Sequence, residues 1–211
     1  MIEYVKPDEI EQRSFEIITS ELPHAIDPAL APVILRVIHT TADLEYADTL
    51  AFSEGAAQAA VAALRRGTPI VSDTNMVKAG VDKKRLHAFG SEIFCFMGDA
   101  DVAEKAKQEG STRARAAMEK AAGLGRPLIF AIGNAPTALI RICELKEAGE
   151  CEPDLVIGVP VGFVNVVEAK EMLMRSGIPY ITARGRKGGS NVAAAICNAL
   201  LRMSATEQAG A

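Results

Sequence analysis

The chain has no tryptophan, and its aromatic content is only 5% of 211 residues. A protein that holds bases or sugars by stacking on aromatic faces usually carries more. Excess basic charge is missing too: 23 Lys and Arg stand against 27 Asp and Glu, a formal net charge of −4. That argues against broad, charge-driven nucleic-acid binding and leaves a local basic pocket open. Histidine is scarce, with only His24, His39 and His87, too dispersed to start a metal site. The cysteines Cys95, Cys143, Cys151 and Cys197 form no CxxC and no zinc-type spacing with histidine. Cys95, Cys143 and Cys197 have mostly apolar or small neighbours, as reduced buried thiols of a cytoplasmic protein do. No apolar run approaches the ~18 residues needed to span a bilayer. The opening MIEYVKPDEIEQR is unlike a signal peptide. No membrane partner and no nucleic-acid partner are therefore expected.

What is present is apolar material, 49% of the chain, enough for a full core. Five short apolar runs read as buried strands: 69–73, 92–99, 127–134, 154–162 and 179–185. Between them lie segments of helical period at 49–66, 100–122, 135–148, 165–176 and 190–203. This alternation predicts one doubly wound α/β domain with a largely parallel sheet. The strands are apolar throughout, which fits burial on both faces. Ahead of them, 7–21 and 29–40 read as extra N-terminal helices. The second carries Leu30, Val33, Ile34, Val37 and Ile38 on one face. The last residues, 204–211, are small and polar and are expected to fray.

Ligands of such sheets bind beyond the carboxyl ends of the strands. Those ends carry cap-type sequences: Thr74-Asn75, Gly98-Asp99, Gly133-Asn134, and Asn165 with Glu168 at capping-box spacing. Helix N-termini at one rim favour anions. The segment Arg184-Gly185-Arg186-Lys187-Gly188-Gly189-Ser190-Asn191 is the most pointed, with three cations and three glycines opening an Ala-rich helix. Glycines admit a close approach of the backbone to a ligand, and arginines grip carboxylates or phosphates. It matches neither a P-loop nor a dinucleotide fingerprint, and a solvated basic loop is the competing reading. Arg113 and Arg115 add cations, though residues two apart on a helix point apart. His39 ends the helix 29–40, where a helix C-terminus favours imidazolium and so a general acid. The same position also suits a histidine that merely complements the helix dipole.

Together, the motifs IEQRSFEII, VIHTTADLEYAD, PIVSDTNMVKAGV, STRARAAME, AIGNAPTAL, GVPVGFVNVVEAKE and RGRKGGSNVAAAICNAL resemble the precorrin-8X methylmutase family, with its cobalt-precorrin-8 counterpart. The resemblance runs from about residue 7 to 203. It implies an isomerase of cobalamin biosynthesis. A methyl group moves from C-11 to C-12 of the macrocycle, giving hydrogenobyrinic acid or its cobalt form, with no methyl donor or cofactor consumed. It places the family's proposed acid on His39, a ligand-side serine on Ser14 and a macrocycle-contacting arginine on Arg113, with Thr41 beside the acid. It also implies a homodimer with sites near the subunit interface. The candidate substrate-binding set is then Ser14, Thr41, Arg113, Arg184, Arg186, Lys187, Gly188, Gly189 and Ser190, serving a tetrapyrrole substrate and product. Two rivals stand beside it: a phosphate- or nucleotide-binding enzyme that uses the 184–191 loop, and a tetrapyrrole carrier without chemistry.

Overall fold

The computed structural model describes residues 4–7 and 9–206. Its elements, in chain order, start with α1 (Ile10–Glu21), α2 (Ala31–Thr41), α3 (Tyr46–Thr49), β1 (Leu50–Phe52), α4 (Ala56–Arg65) and β2 (Ile70–Ser72). Then come α5 (Asn75–Gly80), α6 (Lys83–Ala88), β3 (Ile93–Phe94), α7 (Ala100–Gln108), α8 (Arg113–Ala122) and β4 (Leu128–Ile132). The chain continues through α9 (Pro136–Glu147), β5 (Pro153–Gly158), α10 (Val166–Arg175), β6 (Tyr180–Ala183) and α11 (Ser190–Thr206). The six strands form one sheet in the order β1-β6-β5-β4-β2-β3. All neighbours are parallel except β1, which pairs antiparallel with β6.

Strand alternation sorts side chains into two apolar layers. On β4, Ile129 and Ala131 enter the layer of α2, α4, α5, α6 and α11. Leu128, Phe130 and Ile132 enter the opposite layer of α7, α8, α9 and α10. Both faces are covered, so the central strands read as continuously apolar. Each fully buried aliphatic side chain contributes about 1.5–3 kcal/mol of transfer free energy. The Ala-rich face of α11 lets its neighbours approach closely: a Cβ on Gly80 would sit 2.9 Å from that of Ala194.

Several expectations need correction. Residues 50–52 are a strand, not the start of a helix over 49–66. Leu50 and Ala51 are buried against Ala183 and Thr182, and this tertiary pairing outweighs local helical preference. The helix starts only after Gly55, whose φ is +67°. The segment 92–99 keeps strand geometry only at 93–94, on the edge of the sheet. The helix over 100–122 is broken at Gly110, φ +59°, and restarts where the Thr112 side chain accepts from the Arg115 amide. Helices α5 and α6 lie in a stretch with no expected element, each capped by its own side chain, Thr74 and Asp82. Residues 204–206 continue α11, with Ser204 buried and its carbonyl accepting from Arg65, and the remaining tail residues lie outside the described ones. Of the cysteines, Cys143 and Cys197 are buried, whereas Cys95 is half-buried.

Candidate active site

The C-terminal rim of the sheet carries the informative residues; Thr74 caps its helix there as expected, and three other caps do not. Asp99 occupies an N-cap position, yet its carboxylate pairs with Lys120 at 2.7 Å instead of an amide. Asn165 sits in the left-handed region, φ 57°, with no side-chain cap bond. Asn134 does not cap α9 either. Asp73, 1% exposed at the end of β2, reaches across and accepts from the amides of Gly133 (2.9 Å), Asn134 (2.8 Å) and Ala135 (2.6 Å). Burial pushes this carboxyl above the usual aspartate value, against the pull of the three amides. Three amides at the N-terminus of α9 are thus already taken by an internal carboxyl group.

The basic loop is built tightly. Gly188 takes φ +158°, and a Cβ there would lie 2.1 Å from the Val159 carbonyl oxygen. The Gly189 amide donates to that same oxygen at 2.9 Å. A Cβ on Gly133 would lie 2.7 Å from Cα of Ser190, so glycines bring three chain segments together. Ser190 Oγ and Thr74 Oγ1 are hydrogen-bonded at 2.9 Å. Lys187 Nζ meets Asp43 at 2.6 Å and also Glu45, and these two carboxylates raise its ammonium well above the usual lysine range. Lys187 therefore fastens the loop to the segment just after α2. Arg184 and Arg186 remain exposed, without a carboxylate partner among the described residues, and Arg186 lies over the exposed ring of Phe163 at 5.4 Å.

His39 is exposed in the last turn of α2, its ring edge-on to Phe15 at 5.6 Å. It lines a cavity of about 420 Å³ with Arg36, Thr40, Asp82, Arg85, Asn191, Asn198 and Arg202 among others. Asn191 is the link to the basic loop, so the structure brings His39 and the end of 184–191 to one place. Thr41 turns its hydroxyl back to the Val37 carbonyl at 2.9 Å. Ser14 donates to Ile10 at 2.8 Å and lines a shallow depression on α1 apart from His39; its neighbour Phe15 makes the His39 contact instead. Arg113, exposed at the start of α8, lines a third depression against α7, in the other helix layer. Arg115 is absorbed by Glu144 at 2.8 Å and by Glu119.

The cations nearest to His39 were not singled out from the sequence. Arg36 lies three residues before it, a spacing that shares a helix face. Asn191, Asn198 and Arg202 recur along one face of the otherwise apolar α11, which was a readable signal as well. Arg85 is placed only by tertiary packing. Among the described residues, Glu11 pairs with Arg36 (2.8 Å) and Arg202 (2.9 Å), and Asp82 with Arg85. Arg36 holds the Glu11 carboxyl down at about 2, with smaller pulls from Arg202 and His39.

A prediction follows from the sign of that shift. A carboxylate depressed in the fold contributes stability above its unfolded value and loses it as pH falls through the folded one. The Glu11 clasp should then release α1 between about pH 4.5 and 2. Its half-exposed position makes the effect local and small. Protection of the α1 amides, relative to their intrinsic exchange rates at each pH, is expected to fall over that window before global unfolding, and Glu11→Gln to lower it already at pH 7. Protection unchanged in the variant would show that α1 is held by other contacts.

Among the described residues no cluster of three or more His, Cys, Asp or Glu is placed to hold a metal. No helix there is long and apolar enough to cross a membrane.

Known proteins resemble this chain in sequence and fold. A family model described as precorrin-8X methylmutase matches residues 9–203. The cobalt-precorrin-8 methylmutase of Priestia megaterium is 46% identical over 197 residues, covering 93% of this chain and 88% of that protein. The precorrin-8X methylmutase of Pseudomonas aeruginosa is 42% identical over 204 residues, covering 95% and 98%. The crystal structure of the Thermus thermophilus precorrin-8X methylmutase matches with a TM-score of 0.87 at 40% identity, covering 94% of this chain and 98% of that one. Sequence and fold agree over nearly the whole length, and the chain belongs to the precorrin-8X methylmutase family.

Proposed function

We propose that the protein catalyses the C-11 to C-12 methyl shift of precorrin-8X or its cobalt form, with His39 as the proton donor. The observation that carries this reading is the His39 cavity. One imidazole stands there beside three arginines and Asn191, at the end of the loop that bears Arg184 and Arg186. Moving a methyl within one molecule requires no nucleophile from the protein. It requires the macrocycle held in place, one proton delivered and water excluded. A substrate fringed by carboxylates finds guanidinium groups for its acids, and it can take the places that Glu11 and Asp82 hold in the unliganded chain. The exposed apolar group Val161, Phe163 and Val164 adjoins Arg186 and offers a face for the ring. The test is incubation of the purified protein with precorrin-8X and with cobalt-precorrin-8, followed by visible absorbance. Conversion of either supports the reading; conversion of neither overturns it. Nucleotides serve as the control ligands, and tight binding of these in place of the corrin would favour the phosphate-binding rival.

Ser14, Thr41, Arg113, Lys187, Gly188, Gly189 and Ser190 complete the proposed binding set, the glycines and Lys187 through loop shape. His39 and Arg113 occupy different helix layers, and one chain leaves them in separate depressions. The homodimer implied by the family resemblance, with sites near the interface, answers this: a second copy can bring an arginine to the His39 cavity. Sedimentation is expected to show a dimer, in a cytoplasmic protein with no membrane or nucleic-acid partner. Arg113→Ala is expected to weaken product binding by roughly 1.5–3 kcal/mol, the scale of a lost charged hydrogen bond. An unchanged dissociation constant would place Arg113 on an idle surface.

A further inference from the structure

We propose that Lys170 is a positioning residue: its ammonium gathers the carbonyls of Gly185 and Lys187 and thereby fixes the direction in which Arg186, between them, presents its guanidinium. Lys170 stands on α10 and is 1% exposed. Its Nζ donates to Gly185 at 2.9 Å and to Lys187 at 2.7 Å. It has no carboxylate partner among the described residues. A buried ammonium without a counter-ion carries a desolvation cost of several kcal/mol, and an apolar side chain of similar volume is often the more stable choice. Stability alone therefore gives no reason for a lysine here, whereas loop geometry does.

Three successive carbonyls of the loop are committed. Those of residues 185 and 187 point inward to Lys170, and that of Arg186 accepts from the Gly162 amide at 3.2 Å. The Gly189 amide closes the segment on Val159. With its neighbours' carbonyls drawn into the core, the side chain of residue 186 is left to the outer surface, where Arg186 is exposed over Phe163. Burial draws the Lys170 ammonium below the usual lysine value, to about 8. This inference rests on the reading that the loop grips carboxylates of the macrocycle. The alternative is a lysine that merely fills space under the loop.

Two readouts on the full chain separate these. Amide exchange across 185–189 in the unliganded protein is expected to accelerate at least tenfold in Lys170→Met and to stay near wild type in Lys170→Arg, which keeps charge and donors. Binding of hydrogenobyrinic acid is expected to weaken about tenfold in Lys170→Met and in Arg186→Ala, and no further when the two are combined. Should Lys170→Met not fold, Lys170→Gln carries the same two readouts. Unchanged loop exchange, or losses that simply add, would overturn the positioning role. If wild-type protein binds no corrin, the functional reading falls, and the exchange measurement still decides what Lys170 does.

Discussion

Replacing His39 with alanine is expected to lower turnover by about 10²–10⁴, the range for removing a positioned general acid. Affinity for the product is expected to stay within about tenfold, ~1.4 kcal/mol. The division follows from where the side chains lie. His39 is exposed at the end of α2, its ring edge-on to Phe15, so its loss opens no core cavity. Binding, on the proposed reading, is shared by the guanidinium groups of Arg36, Arg85 and Arg202 in the His39 cavity and by the loop of Arg184 and Arg186. A mutation that removes one interaction made only in the transition state lowers kcat and kcat/KM together and leaves affinity alone. Stopped-flow absorbance with the methyl-shift substrate gives the rate, and titration with product gives the dissociation constant. Near wild-type turnover would remove His39 from the chemistry. Equal losses in rate and affinity would instead make it a binding residue. A pure carrier would show tight binding and no turnover even in the wild type.

Much of this arrangement was legible in the sequence, and the reasons for the rest are physical. The strands β2, β4, β5 and β6 announce themselves because burial on both faces makes them apolar without interruption. Strand β1 does not, since Leu50–Phe52 opens an Ala-rich stretch and becomes a strand only by pairing with β6. Among the helices, α5 and α6 are six residues each and too short to show a period, although Thr74 and Asp82 marked their starts. In the site, His39 and the 184–191 loop stood out by position and by glycine content. Which groups share a cavity with His39 is a matter of packing: Arg85 arrives from α6 and Arg202 from the far end of α11. Asp73 and Lys170 were hidden for a further reason. Each looks like an ordinary polar residue beside an apolar run, and only burial reveals that its charge is spent inside the protein on backbone groups. Arg113 shows the opposite case, a residue singled out by its motif that within one chain lines a different depression from His39.

The larger effect on stability is expected at Asp73. Asp73→Ala removes the acceptor of three amides at the start of α9, at a position that is itself buried. Leaving buried donors unpaired costs about 1–3 kcal/mol each, partly relieved by relaxation, so a net loss of roughly 2–4 kcal/mol is expected. At roughly 2–4 °C per kcal/mol for a chain of this size, the melting temperature falls by about 5–15 °C. Asp73→Asn is the informative companion. Its single oxygen can take the place of Oδ2 and serve Asn134 and Ala135, but its NH₂ then faces the Gly133 amide, donor against donor. It is therefore expected to fall between wild type and alanine. An asparagine variant as stable as wild type would mean that negative charge at the helix end matters little. One as unstable as alanine would mean that charge dominates over acceptor count. The consequence reaches the site as well, because Gly133 packs against the backbone of Ser190, next to the asparagine that lines the His39 cavity. Loosening the start of α9 should therefore weaken product binding in the same order, alanine more than asparagine. Binding that stays intact while the melting temperature drops would separate the two, and would show that α11 holds the rim without support from α9.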